Sequence, residues 1–148
     1  MLLTRLGQHP SLVRIHDAYA NVEYKSKHGN YFTHALVLEC CLQSLQEFVE
    51  RTGPFPEAFA CAWFHKLLDG LSHCHQQGIA HRDLKPEQIL FSVNLECRIS
   101  DFNFGVDVTR LPENENPVLA GTQLFMAPEV YSVWASRIRL QQVTAVHY

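Results

Sequence analysis

The chain has 148 residues, 47% of them hydrophobic and 18% charged, which is enough apolar mass for one packed domain and too little length for a second of similar size. A formal charge of −3 without any block of like charges gives no electrostatic case for a nucleic-acid or acidic-membrane partner, and no run of about 18 apolar residues marks a membrane span. Five cysteines at irregular spacings (Cys40, Cys41, Cys61, Cys74, Cys97) form no disulfide framework, and Met1 to Leu12 carries no secretory signal, so a reducing intracellular compartment, cytoplasmic or nuclear, is expected.

Leu12 to Tyr19 alternates apolar and polar side chains loosely and Thr33 to Leu38 is a short apolar run, so both read as strands, with polar Lys25 to Asn30 as a hairpin-type loop. Gln43 to Arg51 reads as a short helix closed by Thr52-Gly53-Pro54. Pro56 and Glu57 suit a helix start, where proline's missing N–H costs nothing and an acid meets the positive end of the dipole. Phe59, Ala60, Trp63, Phe64, Leu67, Leu68 and Leu71 then recur at helical spacing, which predicts a buried amphipathic helix with Gly78 as its left-handed cap. Ile89 to Phe91 and Cys97 to Ile99 are short strands about Val93-Asn94, and Asp107 to Pro117 is an exposed polar loop. From Val130 to Tyr148 there is no clear amphipathic pattern, and a ragged end is expected. Helices mixed with short antiparallel strands give an α+β class.

The chemistry concentrates in three strings. His81-Arg82-Asp83-Leu84-Lys85-Pro86-Glu87-Gln88 puts an acid, a cation and an amide in one loop between the long helix and a short strand. A second acid follows in Ser100-Asp101-Phe102-Asn103, with enough chain between for a small hairpin to bring the two carboxylates together. Gly121-Thr122 and Met126-Ala127-Pro128-Glu129 complete the set. Two acids, a lysine and an amide converging on one cleft are what phosphoryl transfer needs: a base for the hydroxyl, oxygen ligands for magnesium and a cation at the moving phosphate. In this order the strings resemble the signature set of eukaryotic protein kinases, and their fillings resemble its Ser/Thr branch. Upstream, Leu6 to Val13 is similar to the stretch that leads from the small lobe's regulatory helix to its next strand, and Leu36 to Cys41 resembles the hinge and the strand before it.

The resemblance implies a partial protein-kinase-like fold. Residues 1–41 would be a remnant of the small lobe and hinge, 42–130 a partial large lobe, and 131–148 an atypical tail. It also implies transfer of the γ-phosphate of ATP to a protein Ser or Thr hydroxyl, with ATP and Mg2+ as cofactors and a protein substrate or partner. By the same resemblance Asp83 would accept the hydroxyl proton, Lys85 would contact the γ-phosphate, and Asp101 with Gln88 would hold magnesium. The backbone of Glu39 and Cys41 would meet the adenine edge beyond Leu38, Leu90 would floor the pocket, and Thr122 would tie Asp83 and Lys85 to the peptide-binding segment. These residues contain no glycine-rich loop and no Val-Ala-Ile-Lys strand, so weak or absent turnover is expected of the chain as it stands, with a catalytically dead binding module as the alternative; with few of the family's later helices to cover it, the stripe on residues 59 to 71 is expected to stay partly wet.

Two local departures from the family pattern stand out. Gln88 occupies the place of an asparagine, and its extra methylene displaces the amide oxygen by about one bond length, which predicts weaker magnesium binding. Asn103 occupies the place of a glycine, a milder change because Asn tolerates left-handed backbone. Thr109 is the sole side-chain hydroxyl between Phe104 and Gly121, while Glu113 and Glu115 offer acids; either one pairs with Arg82 in place of a phosphate, or the loop is a solvated acidic one. Cys61, His65 and Asp69 recur along one helix face and admit a zinc reading, against which stands the simpler one of a polar helix side.

Overall fold

The computed structural model describes residues 2–27, 29–111 and 120–145. A short helix α1 (Leu2–Leu6) leads into a long antiparallel hairpin of β1 (Ile15–Ser26) and β2 (Gly29–Leu38). The hairpin extends well beyond the expected strands and absorbs most of the expected polar loop, with Ser26 paired to Gly29. Ladder hydrogen bonds satisfy backbone groups whatever the side chains, so polar residues continue the strand once its partner is in register. A register shift between Tyr19 and Val22 holds Asn21 at φ 56°, where Asn is among the better-tolerated residues.

A three-stranded sheet forms the floor of the molecule, in the order β3 (Cys41–Ser44), β5 (Ile89–Ser92), β6 (Cys97–Ile99). Residues 11–14 run alongside β6: the Val13 N–H donates to the Ile99 carbonyl at 2.9 Å and the Ile99 N–H to that of Ser11 at 2.8 Å. Phe91, Ile99, Leu12, Leu6, Cys97 and Ile89 make the centre of the core. Helix α2 (Leu45–Thr52) begins two residues later than the pattern suggests, because Ser44 serves as its cap: its hydroxyl accepts the Glu47 N–H while the Glu47 carboxylate accepts the Ser44 N–H.

Helix α3 (Glu57–Gln76) starts where expected and is followed by Gly78 at φ 69°. The apolar stripe is only half covered. Trp63, Leu67 and Leu71 pack on the core, whereas Phe59, Phe64 and Leu68 are 59%, 60% and 46% exposed. Neighbours such as Trp63 and Phe64 point about 100° apart on a helix, and the sheet covers one of those two directions. After α3 the chain pairs β4 (Ile79–Ala80) with β7 (Val106–Asp107).

The expected ragged end is instead helix α4 (Pro128–Ala145). Pro128 and Glu129 suit its first turn, and helical hydrogen bonding needs no apolar stripe. The lack of amphipathic pattern shows in its packing: Tyr131 and Val133 are exposed, and Tyr131 stacks on Trp134 within the helix. No described helix is long and apolar enough to cross a membrane.

Phe91 has no exposed surface and contacts both Phe48 and Trp63. Phe91→Ala is therefore expected to lower unfolding free energy by about 3–5 kcal/mol in urea titration, and Phe64→Ala on the open face of α3 by less than about 1 kcal/mol. Equal losses at the two positions would show that the exposed side of α3 is packed in solution.

Candidate active site

The site is assembled around His81, which is buried between the end of β4 and the turn after β6. Its Nε2 lies 2.8 Å from the Ser100 carbonyl, its Nδ1 accepts the Asp83 N–H at 3.3 Å, and its ring packs on Phe102 at 4.6 Å. Both polar contacts are met by the tautomer with hydrogen on Nε2. The loop bearing Asp83 and the turn bearing Asp101 are thus two sides of one imidazole.

On one side, Asp83, Lys85 and Thr122 converge. Asp83 Oδ1 accepts the Thr122 N–H at 2.6 Å, and Lys85 Nζ donates to Thr122 Oγ1 at 2.7 Å while standing 3.4 Å from Asp83 Oδ2. Burial pushes the Asp83 carboxyl up, but the hydrogen bonds from Thr122 and the charge of Lys85 outweigh it and hold the group below its ordinary 3.8. Gly121, at φ 118°, makes the approach possible, since a Cβ there would stand 2.6 Å from the Arg82 carbonyl oxygen. Arg82, itself at φ 66°, donates from Nε to the Phe104 carbonyl at 2.6 Å and so ties the loop to the segment after Asp101.

On the other side, Asp101 sits in left-handed conformation with its carboxylate on the Asn103 N–H at 3.3 Å. It lines a cavity of about 380 Å3 together with Leu38, Glu39, Leu90, Val13 and Phe102. Among the described residues no lysine, arginine or histidine pairs with it. Cys41 and Gln88 lie outside this lining. Cys41 is paired with Ser92 across β3 and β5, and the Gln88 carbonyl accepts both the N–H and the hydroxyl of Ser100 at 2.9 Å, so that Gln88 braces the strand before Asp101 through its backbone.

Residue-level reasoning missed Ser100, whose carbonyl anchors His81, and the contact that demands Gly121. Neither has a signal beyond its place in a motif, because the contact is made by backbone in each case, the Ser100 carbonyl in one and the Arg82 carbonyl in the other. Glu113 and Glu115 lie outside the described residues; the described acid at the start of that segment is Asp107, which takes Arg5 and, at 3.1 Å, Arg110. Cys61 is exposed and Asp69 stands 3.6 Å from His9, and among the described residues no group of three or more His, Cys, Asp or Glu could hold a metal ion.

Because the folded value of Asp83 lies below the unfolded one, its carboxylate contributes stability that is complete above the unfolded pKa and is lost as pH falls through the folded one. Asp83→Asn is expected to melt below the unaltered chain at neutral pH and to converge with it below about pH 4 in a pH series of thermal melts. A gap that persists unchanged into acid would remove Asp83 as the source.

Similarity to known proteins follows the same residues. The protein kinase domain family model matches residues 1–140. The chain is 34% identical over 134 residues to CBL-interacting serine/threonine-protein kinase 8 of Arabidopsis thaliana, covering 88% of this chain and 27% of that protein. It is 33% identical over 129 residues to sperm motility kinase 3A of Mus musculus, covering 86% and 23% respectively. Over 128 residues it is 28% identical to Aurora/IPL1-related protein kinase 2 of Caenorhabditis briggsae, covering 83% and 37%. The chain therefore spans between 23% and 37% of the length of these relatives. With the match running from α1 through the His81 clamp and into α4, the chain belongs to the protein kinase domain family, on the side of its serine/threonine-type members.

Proposed function

We propose that the site binds ATP with Mg2+ and transfers the γ-phosphoryl group to a Ser or Thr hydroxyl of a protein. The observation that carries this reading is the triangle of Asp83, Lys85 and Thr122, joined through a single histidine ring to the turn that places Asp101 in the cavity. The cavity suits the ligand: its volume of about 380 Å3 is in the usual range for small-molecule sites, and Val13, Leu38, Leu90 and Phe102 supply apolar walls for a flat base. Glu39 supplies hinge backbone at the rim, and Cys41 continues that hinge into β3. The donor set also fits the metal, since magnesium is usually held by one or two protein oxygens plus substrate phosphates rather than by a full protein cage.

When bound, the metal nucleotide supplies the transferable phosphoryl group and neutralises its charge. The chain's own residues do the rest. Asp83, kept ionised by Thr122 and Lys85, orients the acceptor hydroxyl and takes its proton; Lys85 presents its ammonium to the phosphate. Asp101 would hold the metal from the cavity wall, and Gln88, which lies outside that lining, would reach it only through its longer amide, which weakens the hold. Five free thiols support an intracellular, reducing setting.

A second reading, nucleotide binding without turnover, rests on Gln88. The two are separated by measuring melting with and without Mg-ATP and labelled phosphate transfer to a mixture of Ser/Thr peptides. The expected results are a Mg-ATP-dependent upward shift in Tm, slow transfer, and a loss of about a hundredfold or more in Asp83→Asn. Gln88→Asn is expected to lower the magnesium concentration needed for half-maximal effect. A shift without any transfer establishes the binding module, and no shift at all removes the nucleotide site.

A further inference from the structure

Strand β6 reads Cys97-Arg98-Ile99, and its two outer side chains are 3% and 0% exposed on the core side. Strand alternation sends Arg98 to the other face, the face of its cross-strand partner Leu90, which lines the nucleotide cavity. There Arg98 spreads over two carboxylates and two carbonyls, the weakest contact being Nη1 to the Cys97 carbonyl at 3.4 Å. Its Nε donates to Glu39 Oε1 at 3.1 Å, its Nη2 donates to Glu96 Oε2 at 2.8 Å, and its Nη1 donates to the Pro10 carbonyl.

Glu39 is correspondingly fixed from several directions. The same Oε1 accepts the Arg14 N–H at 2.9 Å, and the Glu39 N–H donates to the Arg14 carbonyl at 2.9 Å. Glu39 also forms a shared wall, since it lines both the nucleotide cavity and a second, polar one of about 270 Å3 that contains Arg14, Glu96 and Arg98. Its carboxylate is taken up on the polar side, so what it offers the nucleotide is main chain. The side chains of Arg98 and Glu39 are 11% and 17% exposed, too sheltered for water to substitute freely for the pair.

We propose that Arg98 is a positioning residue for the nucleotide site: it grips the Glu39 carboxylate and thereby sets the hinge backbone against β6 at the place where a base edge is read. The proposal rests on the reading of the cavity as a nucleotide site. A guanidinium is required because two carboxylates and a carbonyl in different directions, together with the nearby Cys97 carbonyl, need a planar fork, which a lysine ammonium on a flexible stem does not supply. Glu39→Gln is a clean partner variant, because Arg98 retains Glu96 and is not stranded as an unpaired charge.

The test measures, on the full chain, the Kd for Mg-ATP, the Kd for Mg-tripolyphosphate and backbone amide exchange across residues 38–41. Tripolyphosphate has no base to meet the hinge, so a positioning effect leaves it alone, whereas general loosening weakens both ligands. Arg98→Met is expected to weaken Mg-ATP about tenfold, leave Mg-tripolyphosphate unchanged and speed exchange at Glu39. Arg98→Lys falls between, and Glu39→Gln combined with Arg98→Met adds nothing to either single change. Equal losses for both ligands, additive single changes, or an unaltered Mg-ATP affinity in Arg98→Met overturn the proposal. If the unaltered chain binds tripolyphosphate and ATP equally, or neither, the nucleotide reading itself fails; unchanged exchange at Glu39 in Arg98→Met then overturns the grip of Arg98 on the hinge independently of any ligand.

Discussion

One imidazole holds the two halves of the site together. His81 has each ring nitrogen committed to backbone, Nε2 to the Ser100 carbonyl and Nδ1 to the Asp83 N–H, and its ring lies against Phe102. One anchor is Asp83's own N–H and the other lies one residue before Asp101, so the ring fixes where both acids' backbones sit. The ring is 4% exposed, and a buried polar group in this position is tolerable because both of its hydrogen-bonding atoms are satisfied. Left-handed backbone at Arg82 and at Asp101 lets the two turns face each other across it. Such conformations are sparsely populated for residues with side chains, and here the surrounding bonds over-determine them.

Inside that frame the two acids have opposite surroundings. Asp83 is buried, which alone would raise its pKa, and it is held below its ordinary value because Thr122 and Lys85 are aimed at it. A carboxyl held low is a weak base. That suits phosphoryl transfer, where the transition state is loose and the acceptor hydroxyl gives up its proton late, so orientation of the hydroxyl matters more than basicity. Asp101 has no described cationic partner and borders the cavity, which leaves its charge available to a ligand rather than to the fold. The same lysine that steadies Asp83 is the cation proposed for the phosphate, so pairing and catalysis draw on one charge.

The parts of this arrangement that were legible in the sequence are those encoded by short-range chemistry. The strings around Asp83 and Asp101 fix their own loops and Gly78 closes α3, each within a few residues of chain; the Ser44–Glu47 cap is equally local, yet the apolar pattern alone put the start of α2 at Gln43. What was not legible depends on partners distant in sequence. The partial exposure of the α3 stripe agrees with expectation, but which of its residues are covered, Trp63 rather than Phe64, is decided by what lies beside the helix and not by their spacing. The length of β1 was set by β2 across the hairpin, which kept polar residues in a ladder that their composition argued against. Arg98 was invisible for the same reason: a lone arginine between Cys97 and Ile99 reads as an outward-facing strand residue, and only the fold brings Glu39, fifty-nine positions earlier, to meet it.

The exposed face of α3 and the site depend on different contacts. The groups that set the site's geometry, namely His81, Phe102, Ile99 and Ile89, are buried against β5, β6 and the core side of α3. Phe59, Phe64 and Leu68 lie on the same helix with much of their surface in water. Apolar surface on that side lowers overall stability through the area it leaves in water. The open side of α3 therefore bears on how stable the fold is, while within the folded chain the geometry of the site is fixed by three hydrogen bonds to His81 and Asp83.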